Sequence, residues 1–211
     1  MKRTPNQDSS IQNLVQRVDM ALDRSAPRIV TFISARPGEG TSTIARDYAR
    51  VLSDAVDHKI LLIDAGNIDQ GFYDACQADA LTTIADTIAA GRPLTDALHP
   101  LGRHVFFGRW AGEGRGRSAA GKILGDDAFW DTLHESYGTV VIDAPSLKDS
   151  SDGIGLAVRA DATILVVEAE TTRQPVIENL RDTLTGAGAK IIGVIMNKRR
   201  YYIPAKVYQN M

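Results

Sequence analysis

The chain has 211 residues, 44% of them hydrophobic, and a formal net charge of -2. That is apolar material for one sizeable core, without a positive field that would draw the whole chain to nucleic acid. A single cysteine, Cys76, excludes a disulfide framework and a multi-cysteine metal site.

Residues 1–9 read as a polar, disordered lead without a signal-like apolar stretch, and no run approaches the ~20 apolar residues of a membrane span. Both features predict a cytoplasmic protein. Ser9 and Gln12 form a Ser-x-x-Gln capping pattern, and Ile11, Leu14, Val15, Val18 and Leu22 recur at helical spacing. This amphipathic helix is expected to pack on its own domain, with a partner-binding role as the alternative, and residues 1–27 are taken as lead plus helix.

From Arg28 to residue 198 the pattern alternates. Strands are predicted at Ile29–Ser34, Lys59–Asp64, His104–Arg109, Thr139–Ala144, Ala162–Ala169 and Lys190–Asn197. Several are apolar at nearly every position, as strands covered on both faces are. Helices are predicted between them, around 41–53, 80–90, 120–136, 151–159 and 174–186. The expectation is an α/β fold, a doubly wound, mostly parallel sheet with helices on both faces. Gly108–Arg117, dense in glycine, reads as a mobile loop. Residues 199–211 form a basic tail that carries Tyr201, Tyr202 and Tyr208, three of the chain's six tyrosines.

The first predicted strand runs into Ser34-Ala35-Arg36-Pro37-Gly38-Glu39-Gly40-Thr41-Ser42-Thr43, and a helical pattern follows. Strand, glycine turn and helix N-terminus aim backbone N–H groups and a positive dipole end at an anion. A phosphate loop usually ends Gly-Lys-Ser/Thr, its lysine reaching the β/γ-phosphates and its hydroxyl holding Mg²⁺. Thr41 stands in the lysine position; Ser42 keeps the hydroxyl. Two later strands end in carboxylates, Asp64 and Asp143. Beside a phosphate cradle, one can hold Mg²⁺ and the other can orient or deprotonate a nucleophile.

The ordered set Pro-Gly-Glu-Gly-x-Ser-Thr, Leu-Leu-Ile-Asp-Ala, Val-Ile-Asp-Ala-Pro, Asp161–Glu168 and Gly193–Asn197 resembles the bacterial tyrosine autokinases of capsule and exopolysaccharide synthesis. That family is a branch of the P-loop ATPases that include the septum-site and chromosome-partition ATPases. The resemblance implies ATP or ADP with Mg²⁺ as cofactors. Gly38, Glu39, Gly40 and Thr41 would wrap the phosphates, and Thr43 would lie near the α-phosphate. Ser42 and Asp143 would serve the metal, Asp64 would be the base toward a tyrosine hydroxyl, and Asn197 would contact the adenine. It further implies an integral-membrane polysaccharide co-polymerase or adaptor as partner, homo-oligomer formation, a place at the inner face of the cell membrane, and Tyr201, Tyr202 and Tyr208 as phosphoacceptors. The alternative for the tail is a docking segment.

Three departures bear on activity. Lysine is replaced by Thr41; the second-strand motif, Asp-Ala-Asp-Leu-Arg in the family, is Asp64-Ala65-Gly66-Asn67-Ile68; and the Glu-x-x-Arg-x-x-Arg oligomerisation pattern is absent around Ile11–Met20. A transition-state charge clamp contributes about 2.7–4 kcal/mol. Impaired phosphoryl transfer is therefore expected, with backbone N–H groups and Mg²⁺ still supporting binding. Arg36 is the first candidate for a substitute charge, in cis or in trans, against the plainer reading of a solvated arginine. Arg115, Arg117 and Arg173 are weaker ones. Two readings result: a regulatory component without efficient catalysis, and a working autokinase or ATPase with a rearranged clamp. A dinucleotide oxidoreductase is disfavoured, because Gly-x-Gly-x-x-Gly is absent.

Overall fold

A computed structural model of the chain describes residues 5–23, 26–66, 72, 82–112 and 115–199. The motif positions Asn67 and Ile68, and the candidate phosphoacceptors Tyr201, Tyr202 and Tyr208, lie outside the described residues.

The described elements are α1 (Pro5–Ala21), β1 (Arg28–Ser34), α2 (Thr41–Ser53), β2 (Ile60–Asp64), α3 (Ile84–Ala89), a 3₁₀ turn (Leu94–Ala97), β3 (Leu98–Pro100), β4 (Val105–Arg109), α4 (Arg115–Leu124), α5 (Asp127–Ser136), β5 (Thr139–Asp143), α6 (Asp152–Arg159), β6 (Ala162–Glu168), α7 (Gln174–Gly186) and β7 (Ile191–Asn197). The strands form one sheet in the order β3-β4-β2-β5-β1-β6-β7. Every pairing is parallel except β3 with β4. The expected doubly wound α/β architecture is therefore present.

Alternation along the strands sends side chains to two cores. Ile29, Ile33, Leu61, Ile63, Val140, Ile142 and Leu165 face one side, under Ile84, Ile123, Leu133, Leu156 and Leu180 from the helices. Val30, Phe32, Ile60, Leu62, Val141, Ile164 and Val166 face the other, under Ile44, Tyr48 and Leu52 of α2. Burial on both faces explains the near-continuous apolar runs. Helix α1 belongs to the second core through Ile11, Val15 and Val18, each contributing about 1.5–3 kcal/mol on burial. An ion pair of 2.7 Å between Arg28 and Asp19 ties it to the start of β1.

Four expectations need correction. Helix α1 begins at Pro5, not Ser9; proline suits a first helical turn, where its missing N–H costs nothing. The single helix expected around 120–136 is two, because Asp126 caps a new one by accepting from Ala128 N–H at 3.2 Å. The short antiparallel strand β3 was not expected. Gly108–Arg117 is not a loop throughout: Gly108 and Arg109 finish β4, Arg115 opens α4, and Trp110 between them is 1% exposed. Trp110 stacks in a cluster with Phe129 and Trp130, whose ring lies 6.0 Å away, and this aromatic packing outweighs the local glycine content.

Candidate functional site

β1 lies between β5 and β6, so the loop that leaves it opens at the carboxyl ends of three central strands. Open α/β sheets bind ligands there. The turn is built by two glycines in left-handed conformation, Gly38 at φ 84° and Gly40 at φ 96°. Gly40 is doubly constrained: a Cβ on it would lie 2.1 Å from Asn197 Nδ2. Helix α2 starts at the next residue, Thr41, so its unpaired N–H groups face the turn. Thr41 is buried, Ser42 half-buried and Thr43 exposed.

Glu39 was expected to contribute only its backbone. Its carboxylate in fact turns back inside the loop, 2% exposed. It accepts from Arg36 N–H at 2.9 Å, from Glu168 N–H at 3.5 Å and from the Thr172 hydroxyl. One side chain thus pins the turn to the end of β6. Asn197 Nδ2, expected near the adenine, donates to the Glu39 carbonyl at 2.9 Å. Lys198, the next residue, donates from Nζ to the Gly38 carbonyl at 2.5 Å and lies 3.3 Å from Glu168 Oε2. Sequence reasoning passed over Lys198; the signal was its place directly after a strand end that faces the loop. Arg36, Arg117 and Arg173 have exposed side chains.

The two aspartates converge. Asp64 and Asp143 are register partners on neighbouring strands β2 and β5. A Cβ on Gly66 would stand 3.6 Å from Asp64 Oδ1 and 3.6 Å from Asp143 Oδ2, so both carboxylates border the space left by that glycine. Gly66 N–H donates to Asp64 Oδ1 at 3.0 Å. Asp143 is 2% exposed, and neither of its carboxylate oxygens meets a partner at full hydrogen-bond geometry. Burial, reinforced by the Asp64 charge, pushes its carboxyl up to about 7; the Ser42 hydroxyl and the Arg46 guanidinium pull the other way and lose. A buried carboxylate without a matching donor is costly, and a hard divalent cation with oxygen ligands relieves that cost. Ser42, Asp143 and the loop therefore fit a Mg²⁺-nucleotide.

These features define a MinD-type P-loop fold. No protein-family model matches the chain. It is 26% identical to the succinoglycan biosynthesis transport protein ExoP of Rhizobium meliloti over 198 residues, 90% of this chain but 24% of that protein. The chain thus spans about a quarter of ExoP's length. It is 23% identical to the tyrosine-protein kinase CpsD of Streptococcus agalactiae, covering 86% of this chain and 80% of CpsD. Among solved structures, the VpsO kinase domain superposes with TM-score 0.72 at 25% identity, covering 92% of this chain and 95% of that domain. The septum-site protein MinD of Pyrococcus horikoshii, complexed with Mg-ADP, superposes with TM-score 0.67 at 21% identity, covering 87% and 76%. The likeness to ExoP, CpsD and the VpsO kinase domain extends over most of this chain in each case.

Proposed function

We propose that the chain is a Mg²⁺-nucleotide-binding, tyrosine-autokinase-like component of bacterial exopolysaccharide or capsule synthesis and export, in which phosphoryl transfer is impaired by Thr41. The single observation that carries the nucleotide reading is Asp143: a buried carboxylate without full partners, in register with Asp64, beside a loop that presents helix N–H groups. The kinase-like role draws on the likeness to CpsD and the VpsO kinase domain.

Each group has a task in that reading. Backbone N–H groups of Gly38, Glu39 and Gly40 hold the phosphates, and the Glu39 side chain keeps the turn in shape. Ser42 and Asp143 hold the metal. Bound Mg²⁺ would neutralise charge on the phosphate oxygens. Asp64 accepts the proton of an attacking hydroxyl, with Tyr201, Tyr202 and Tyr208 as acceptor candidates. Thr41 offers a hydroxyl and no charge, so the step most dependent on electrostatics, transfer itself, loses most. The partner in this role is an integral-membrane polysaccharide co-polymerase or adaptor. Among the described residues no helix is long and apolar enough to cross a membrane, and attachment at the inner face would come through that partner. Homo-oligomer formation belongs to the same reading.

The intact aspartate pair favours a second reading, an active autokinase with a rearranged clamp. Incubation with Mg²⁺ and γ-labelled ATP, beside a Thr41→Lys variant, decides between them. Label on the variant's tail far faster than on the native chain supports impairment. Equal rates establish the active enzyme, and failure of both to bind nucleotide removes the proposal.

A further inference from the structure

The end of β7 does more at the loop than its sequence suggests. Two consecutive residues each donate to a carbonyl of the phosphate loop: Asn197 Nδ2 to Glu39 at 2.9 Å, and Lys198 Nζ to Gly38 at 2.5 Å. A trans peptide holds its C=O and N–H on opposite sides. The Gly38 carbonyl belongs to the peptide whose N–H is that of Glu39, and the Glu39 carbonyl to the peptide whose N–H is that of Gly40. Both donors therefore sit behind the N–H groups proposed to hold the phosphates. A donor on a carbonyl polarises the amide and makes its N–H a better donor in turn. The two side chains orient the cradle and strengthen it from its back.

Lys198 brings charge as well. The loop already contains the buried carboxylate of Glu39, which opposes a polyphosphate, and its own lysine position is Thr41. The Lys198 ammonium is half-exposed, at 46%, and is held on its far side by Glu168 Oε2 at 3.3 Å. Its backbone is in the left-handed region, φ 56°, which a non-glycine side chain adopts at a cost. Strain of this kind persists where the surroundings fix it. Here it puts the Cα where the side chain reaches back over the turn.

We propose that Lys198 is a positioning residue for the polyphosphate of a nucleotide: bound to the Gly38 carbonyl, it supplies from behind the loop the positive charge that Thr41 does not supply from within. This rests on the nucleotide reading of the site. The test is titration calorimetry of Mg²⁺-ADP on the full chain, with Lys198→Met, Lys198→Arg, Lys198→Gly, Thr41→Lys and the Thr41→Lys/Lys198→Met double variant, together with Tm in the absence of nucleotide. Lys198→Met is expected to weaken ADP binding about tenfold, the weight of one charge-assisted hydrogen bond, and Lys198→Arg to stay within about twofold of the native chain. Lys198→Gly relieves the backbone, so it should bind as weakly as Lys198→Met while its Tm does not fall. In the Thr41→Lys background the loss on adding Lys198→Met should shrink below about threefold, because an internal lysine makes the outer one redundant. A purely structural tie, which an arginine donor could also make, would not give that redundancy. Native affinity in Lys198→Met, or weak binding by Lys198→Arg, overturns the proposal alone. A native chain that binds no ADP overturns the nucleotide reading, and this proposal with it.

Discussion

Glu39, inside the phosphate loop, and Asp143, at the end of a strand beside it, are both carboxylates only 2% exposed. Their surroundings are opposite. Glu39 accepts from two backbone N–H groups and a hydroxyl, so its charge is satisfied by the fold. Asp143 has no such set, and burial together with Asp64 lifts its carboxyl to about 7. One buried anion holds a turn together. The other is the group to which the proposed function gives the metal, and the difference in partners separates the two more clearly than burial does.

Substitutions can break that contrast, and the largest effect is expected at Asp143. Asp143→Ala should raise the Mg²⁺ needed to support ADP binding by about 100-fold, read by calorimetry at varied Mg²⁺; an unchanged requirement would place the metal elsewhere. Glu39→Ala removes the shared acceptor of three donors. It should cost about 2 kcal/mol of stability in urea denaturation, with or without Mg²⁺.

The pH dependence follows from the same contrast. Unfolded, Asp143 loses its proton near 3.8; folded, near 7. Between those values the folded state holds one proton more, so raising the pH favours unfolding. In metal-free buffer, stability should fall by about 1.4 kcal/mol per pH unit from about pH 4 to about pH 7 and level off above. Asp143→Asn should remove that slope, and a slope that persists would assign it to another group. The smallest effect is expected at Gly66, where a Cβ meets only ordinary contacts at 3.6 Å. Gly66→Asp adds a third carboxylate, lowering metal-free stability at pH 7.5 by about 0.5 kcal/mol and enlarging the rise in Tm on adding Mg²⁺.

Much of this is legible in the sequence. Strands apolar at almost every position announce a sheet covered on both sides, and β1, β2 and β5 end where their loop, Asp64 and Asp143 predict. The order Gly38-Glu39-Gly40 gave the turn, because two positive φ values suit only residues without a side chain to strain. What stayed hidden depends on distance along the chain. Asn197 and Lys198 meet the loop some 160 positions away, and no local pattern encodes that pairing. Trp110 was misplaced because glycine-rich neighbours suggest freedom, whereas Phe129 and Trp130, remote in sequence, fix it. The 9–12 capping pattern misled for the opposite reason: Ser9 and Gln12 suit a helix start, but nothing local forbade the helix from beginning a turn earlier at Pro5.

The aromatic cluster has a practical consequence. Trp110 and Trp130 are the chain's two tryptophans, both buried and about one ring apart. Trp110 N–H also donates to the Asp64 carbonyl at 2.8 Å. Tryptophan emission therefore arises from a single buried location, one backbone hydrogen bond from a residue of the proposed nucleotide site. The molecule thus carries its own optical probe there, whose burial should place its emission toward the blue and whose backbone contact should couple it to any shift of that strand end, without a dye or an engineered label.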